Sequence, residues 1–347
     1  MSEVTVMPGN TTAVLEDQAS YPLVSNELRQ ILESVFYVAL NGILGVFGSI
    51  ANVINLVVFI KQGFKDSVNI SLFGLAVSDL GSLLFIIWES ICLNPLIFNS
   101  DSSFSVVDIH YLTSAVPHGI FVRIAWWITA FITFERCLCI AVPLKVKQII
   151  TPKRTIYVII VIFIFTFLGM SPFMIANRIG PTFSPILNRT IYARIFNDNG
   201  LFVENFALMF NVASQFGAFI VDVLSTIVIA HLLTVKSKWR AEAASAKEGL
   251  SFRDKKVVKM VVLISAIFIC CLLPSCLNFF LGVVLAPDYT LRGVQQNLFL
   301  VVWSAVLTLE AINSSVTIFV YYNMSSKYKA VLHKLIFDKT IKQTGEI

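Results

Sequence analysis

Seven long apolar runs, each broken by at most one charged side chain, fix what this chain can fold into. Residues 34–60, 155–177 and 260–287 contain no Asp, Glu, Lys or Arg. The run between Asp66 and Glu89 carries only Asp79, and that between Asp108 and Glu135 only Arg123. Residues 205–235 carry only Asp222, and residues 293–326 only Glu310. About 20 apolar residues coiled into a helix cross about 30 Å of hydrocarbon, and each run is long enough to do so. Membrane-spanning strands would show about 10 residues of strict alternation, which these continuous runs do not. The predicted fold is an all-α membrane protein: a seven-transmembrane helix bundle. Composition agrees, with 56% hydrophobic and 14% charged residues in 347 and a mean hydropathy of +0.79. A soluble domain carries about 25% charged residues, so a water-soluble enzyme and a disordered regulator are both excluded.

Lysine and arginine set the orientation. Nineteen of the 26 lie on four alternate connecting segments, within 61–66, 143–154, 236–259 and the tail from 327, and five lie on the opposite side. Such a bias predicts those four segments on the cytoplasmic side and the N-terminus outside, in a multi-pass membrane protein. No basic segment followed by a short apolar one marks a cleavable signal. The expected organisation is an extracellular segment 1–33, a bundle over 34–326, and a cytoplasmic amphipathic helix and tail over 327–347. In that last part Tyr328, Val331, Leu332, Leu335 and Ile336 share one helical face while lysines populate the other, which predicts a helix lying on the inner leaflet. Sequons at Asn10 and Asn188 fall outside, as candidate glycosylation sites.

Ionisable groups inside a membrane are costly, so each calls for a function or a partner. Asp79 lies mid-span: either a cation or proton site, or an acid tied into hydrogen bonds between helices. His118 and Arg123 share the outer half of the third span, Glu89 closes the second, and Glu310 lies in the outer half of the seventh. These four are expected to converge on an outward-facing cavity as tentative ligand contacts. The alternative is that Arg123 and Glu310 neutralise each other. The role of Asp222 stays open. There is no Gly-rich phosphate loop, no His-Glu-x-x-His and no Gly-x-Ser-x-Gly, and the soluble parts are too short for a catalytic domain. No enzymatic activity, cofactor, metal or nucleic-acid partner is expected.

The order of short motifs adds a resemblance. Gly48-Ser49-Ile50-Ala51-Asn52-Val53 lies in span one and Leu75-Ala76-Val77-Ser78-Asp79-Leu80 in span two. Glu135-Arg136-Cys137 ends span three, Phe268 to Pro274 lies in span six, and Asn313-Ser314-Ser315 precedes Tyr321-Tyr322 in span seven. Together these resemble the rhodopsin-like G-protein-coupled receptors over about residues 34–337. The run from Phe134 to Lys147 is similar to divergent invertebrate, mollusc-type receptors, many of them chemosensory or orphan.

The resemblance implies specific roles. Asn52 would tie helices one, two and seven. Asp79, with Asn313 and Ser314, would form the polar core that holds sodium in the family, but Ala125 and Thr317 replace two of its usual ligands. Glu135 and Arg136 would form the resting ion pair of a G-protein switch, joined by Asp254 and Tyr321, and Phe268 and Pro274 would form the hinge of helix six. Lys145, Arg154, Lys236, Arg240 and Lys255 would rim the site for a heterotrimeric G protein. Thr317-Ile318-Phe319-Val320-Tyr321 replaces the family's Asn-Pro-x-x-Tyr, and Tyr111 stands where a cysteine usually anchors the second outer loop. The expected activity is that of a receptor for a small polar molecule or peptide, with a neuropeptide receptor as the near alternative. A seven-helix transporter or ion conductor, or a non-signalling partner of another receptor, is the alternative of a different class. Membrane lipids are the remaining expected partner.

Overall fold

The computed structural model describes residues 21–98, 103–185, 187–242, 252–282, 288–290 and 293–344. Among them seven helices are long and apolar enough to cross a membrane. They are α1 (Asn26–Gln62), α2 (Ser67–Cys92), α3 (Val106–Ala141), α4 (Pro152–Ile175), α5 (Gly200–Glu242), α6 (Phe252–Phe280) and α7 (Gln296–Met324). A further helix, α8 (Ser326–Thr344), follows α7. The end of the bundle at which α1 begins is termed the amino face, and the end at which α7 finishes the carboxy face.

Helix ends coincide with polar caps, because the first backbone N–H groups of a helix have no partner within it. The side chains of Ser25, Asp66, Ser105 and Thr151 accept from Leu28, Val68, Asp108 and Arg154 N. Gly63, at φ 77°, ends α1 in the left-handed region that a side chain disfavours. The first helix begins at Asn26, ahead of the charge-free run. Its added turns carry Arg29 and Glu33, paired at 3.8 Å. Turns of π-helix at Ser34–Leu40 and Tyr111–Ala115 lie within α1 and α3.

Burial sorts the helices. In their most apolar windows α2 and α3 are 61% buried and form the centre, whereas α4 is 22% buried and lies at the periphery. α4 exposes Ile156, Tyr157, Ile160, Val161, Ile164 and Phe165. A patch of that extent calls for an apolar solvent, and lipid supplies it. In lipid, burying apolar area no longer drives helices together, so close packing and hydrogen bonds must. Gly48 shows the consequence: a Cβ there would collide with Ser315 Oγ of α7 and lie 2.8 Å from Leu83 Cδ1 of α2. Its missing side chain lets three helices meet.

α8 packs most of its apolar face against the bundle. Tyr328 is 1% exposed and donates to Asn55 Oδ1 of α1 at 2.6 Å. Burial raises the pKa of the Tyr328 phenol, which keeps this donor protonated. Val331, Leu332 and Leu335 pack against the core, but Ile336 is 53% exposed.

One element was not anticipated. β1 (Asn177–Ser184) and β2 (Arg189–Phe196) form an antiparallel hairpin between α4 and α5, registering Asn177 with Phe196 and Ser184 with Arg189. Asn188, exposed and at φ 48°, lies in its turn. All six cysteines are free, so no disulfide fastens this hairpin to α3. Polar groups do so instead. Ser105 N donates to Tyr192 O, and Tyr192 N to Ser103 O, each at 2.8 Å. Arg194 Nη1 donates to both Glu204 oxygens, at 3.0 and 3.1 Å. Its Nε lies 3.8 Å from Asp108 Oδ1, and its guanidinium 4.5 Å from the centre of the Tyr111 ring. Tyr111 donates its hydroxyl to Glu204 Oε1 at 2.9 Å. The residue that takes the cysteine's place is thus part of a charged clamp.

Gly48→Val is expected to lower stability by about 1–3 kcal/mol through overpacking at the α1–α2–α7 contact, read as a lower Tm of detergent-solubilised protein. Arg194→Ala is expected to cost about 1–2 kcal/mol, since the pair is roughly a quarter exposed and therefore partly screened. Hydrogen exchange should accelerate in β1–β2 and not in α1–α2, and Arg194→Lys should not restore protection, because one ammonium cannot hold Glu204 while also reaching Asp108 and stacking on Tyr111.

Candidate functional site

The polar side chains buried in the membrane form three levels, and α3 contributes to the first and the last. In the amino half, His118 is 4% exposed. Its Nδ1 lies 3.2 Å from the Ser82 carbonyl of α2, which can only accept, so Nδ1 donates there. Its Nε2 lies 3.2 Å from Glu310 Oε2 of α7. One imidazole thus joins α2, α3 and α7. Five residues on, Arg123 faces α5 instead: Nε donates to Asn211 Oδ1 at 2.7 Å and Nη2 to Gln215 Oε1 at 2.8 Å. Its guanidinium carbon lies 3.9 Å from the centre of a Trp126 ring. Gln215 Nε2 donates in turn to Ser275 Oγ of α6 at 3.1 Å.

The four ionisable residues expected to converge here therefore divide. Arg123 makes no ion-pair contact with Glu310, whose carboxyl pairs with His118, although the two charges still act on each other at longer range. Glu89 pairs with His110 Nε2 at 2.9 Å, nearer the amino face. Sequence reasoning missed His110, Asn211 and Gln215. No spacing rule joins α3 to α5, because which faces meet depends on helix rotation.

The middle level links α1, α2, α7 and α8. Asn52, fully buried, donates to Gly48 O at 2.9 Å and to Ser314 O at 2.8 Å. Ser314 Oγ donates to Asp79 Oδ1 at 2.9 Å. Asn55 Nδ2 donates to Asn52 Oδ1 at 3.3 Å while its own Oδ1 accepts from Tyr328. Asn52 reaches α2 only through Ser314, and the hydroxyl on Asp79 belongs to Ser314; Asn313 is merely half-buried beside it. Tyr321 is 1% exposed, its ring edge-on to Phe59 at 5.3 Å.

At the carboxy end of α3, Arg136 Nη2 donates to Glu135 Oε1 at 2.6 Å, and Ser67 Oγ of α2 donates to the same oxygen. Glu135 is 1% exposed and Arg136 half-buried. The backbone of Asp254 lies in α6, but its side chain is outside the described residues, as is the whole of Asn10. Asp222 of α5 gains partners that sequence reasoning did not supply: Thr133 Oγ1 of α3 donates to its Oδ1 at 2.7 Å and also contacts Ser265 Oγ of α6. His231, by contrast, is exposed. Above this cluster Phe268 meets Trp126 edge-on at 6.0 Å, and Pro274 lies inside α6. Proline has no N–H to donate, so α6 lacks one helix hydrogen bond there.

Two comparisons bear on this arrangement. A stretch of 142 residues is 28% identical to cysteinyl leukotriene receptor 1 of Cavia porcellus, covering 41% of this chain and 38% of that receptor, so the match spans less than two-fifths of the relative's length. The family model described as serpentine type 7TM GPCR chemoreceptor Srw matches residues 39–339, from within α1 to α8. With seven membrane-length helices and a match over most of its length, the chain belongs to the Srw chemoreceptor family of serpentine G-protein-coupled receptors.

Proposed function

We propose that this receptor sits in the plasma membrane with its amino face outside, binds a small polar molecule or peptide among His118, Arg123 and Glu310, and signals through a heterotrimeric G protein at its carboxy face. The observation that carries this is the closed Glu135–Arg136 pair on the helix that also holds His118 and Arg123. One rigid helix thus links a polar cluster to a basic side chain 13 residues away, about 20 Å along its axis.

The mechanism follows from what each end exchanges. A ligand can shift the receptor only as far as its affinities for two packings differ, typically by about 1–3 kcal/mol. Contacts made with His118, Arg123 and Glu310 bear on α2, α3, α5 and α7 together. At the missing hydrogen bond near Pro274 and the Phe268–Trp126 contact, α6 pivots so that its carboxy-face end parts from α3. Arg136 then leaves Glu135 and meets the G protein, with Lys145, Arg154, Lys236, Arg240 and Lys255 as the basic rim and Asp254 as a second acid for Arg136 at rest. Asn52, Asp79 and Ser314 act as the polar hub of the middle level, and Tyr321 packs below it. Asn10 and Asn188 would carry glycans, and the exposed turn at Asn188 leaves room for one. The finer kinship is with rhodopsin-like receptors of the divergent invertebrate, chemosensory type.

Arg136→Ala is expected to abolish nucleotide exchange on a co-purified G protein in the presence of pooled amino acids, peptides and water-soluble metabolites, with surface expression largely intact. Full exchange by the variant would overturn the assignment of Arg136. Exchange by neither protein, with uptake or current in liposomes lacking any G protein, would overturn the receptor reading itself.

A further inference from the structure

One buried cation of the amino half has no anion in contact with it. Arg123 is 4% exposed, yet its partners are the neutral amides of Asn211 and Gln215 and the face of Trp126. Its Nη1, carrying two N–H donors, has no hydrogen-bond partner. Among the described residues no carboxylate lies within ion-pair distance of it. The acids that might have served are engaged elsewhere: Glu310 by His118, Glu89 by His110, Asp79 by Ser314 and Asp222 by Thr133. A guanidinium away from water without an anion is among the least favourable groups a protein can keep, and buried charges are ordinarily paired. Glu310 acts on Arg123 only from beyond contact distance, so an arginine whose direct partners are all neutral, with one nitrogen free, is a site for a contacting anion.

We propose that this anion is supplied by the ligand, and that Arg123 receives a carboxylate of that ligand. This rests on the receptor reading above and names the ligand's chemical class. A planar guanidinium matches a carboxylate through two parallel N–H···O bonds, which a lysine could not provide. The placement of Arg123 also gives the carboxylate a mechanical consequence. Nη1 is sealed in the present packing, so an anion reaches it only when neighbouring side chains move. The most accessible concession is Gln215, which shares Nη2 with the same fork. Gln215 is the bridge to Ser275, the residue next to Pro274. A carboxylate that draws Arg123 from Gln215 therefore parts α3 from α5 and frees the amide that bridges α5 to Ser275 of α6 beside the proline. Binding energy is thereby directed to the open packing, because only that packing offers the anion its site.

The test uses purified full-length receptor and matched pairs of probes: a set of small monocarboxylates with their primary amides, and short peptides with free or amidated C-termini. Thermal unfolding is read first. At least one free acid is expected to raise the Tm, and its amide to leave it unchanged. Arg123→Gln and Arg123→Met should lose that shift, while Arg123→Lys, with the charge but not the fork, keeps part of it. Arg123→Met leaves the acceptors of Asn211 and Gln215 unpaired and is expected to melt lower by itself, so each variant's shift is read against its own probe-free Tm; a carboxylate-specific shift that survives in Arg123→Met overturns the proposal. Acids and amides acting alike, or no acid acting at all, would overturn it too. Peptide acids acting where small acids do not would support it and name the ligand's source. A carboxylate-specific shift without nucleotide exchange on any G protein would leave this proposal standing and sink the receptor reading.

Discussion

A polar group inside a bilayer has no water to turn to, and that constraint organises this molecule. Apolar side chains face lipid as comfortably as they face each other, so the helices are held in one arrangement by small residues that let backbones approach and by hydrogen bonds between polar ones. Asn52, Asp79 and Ser314 tie α1, α2 and α7. His118 ties α2, α3 and α7, and Thr133 ties α3 to α5 beside Ser265 of α6. Each tie is local, directional and replaceable by another of similar energy, which is what a bundle with two packings requires. A core cemented only by apolar interdigitation would resist such exchange.

α3 carries more of this network than any other helix, since it is central and can touch neighbours on every side. Its amino half meets α2, α5 and α7; its carboxy end meets α2, α5 and α6. Trp126, between the two, stacks beneath Arg123 and meets Phe268. Leu272 of α6 is buried one turn above Phe268, and the indole that touches Phe268 comes from α3.

The spans were legible because their cause is one-dimensional: a run without charge must cross lipid whatever its neighbours do. Asp79 and the Glu135–Arg136 pair were legible as positions, since a lone charge within a run, or two adjacent charges at its end, need no partner to be noticed. Partnerships were not. Whether Glu310 meets Arg123 or His118 is decided by the rotation of α3 and α7 about their axes, and a single sequence carries no phase for that rotation. The apparent convergence of Glu89, His118, Arg123 and Glu310 came from depth alone, and depth does not distinguish the side facing α7 from the side facing α5. The hairpin escaped notice because its strands, Asn177–Ser184 and Arg189–Phe196, lack clean alternation: neither face is fully buried. The clamp of Arg194, Glu204, Asp108 and Tyr111 joins three separate stretches of chain, so no local pattern could announce it.

That clamp bears on how the molecule comes to be made. A loop secured by a covalent sulfur bridge needs thiol oxidation, and often isomerase correction, before it is finished. Here the loop closes as soon as α3, the hairpin and the start of α5 come together, and none of the six cysteines is bridged. Closing this loop then needs charge pairing rather than thiol oxidation, and a fastening of that kind can detach and refasten within the lifetime of a single protein.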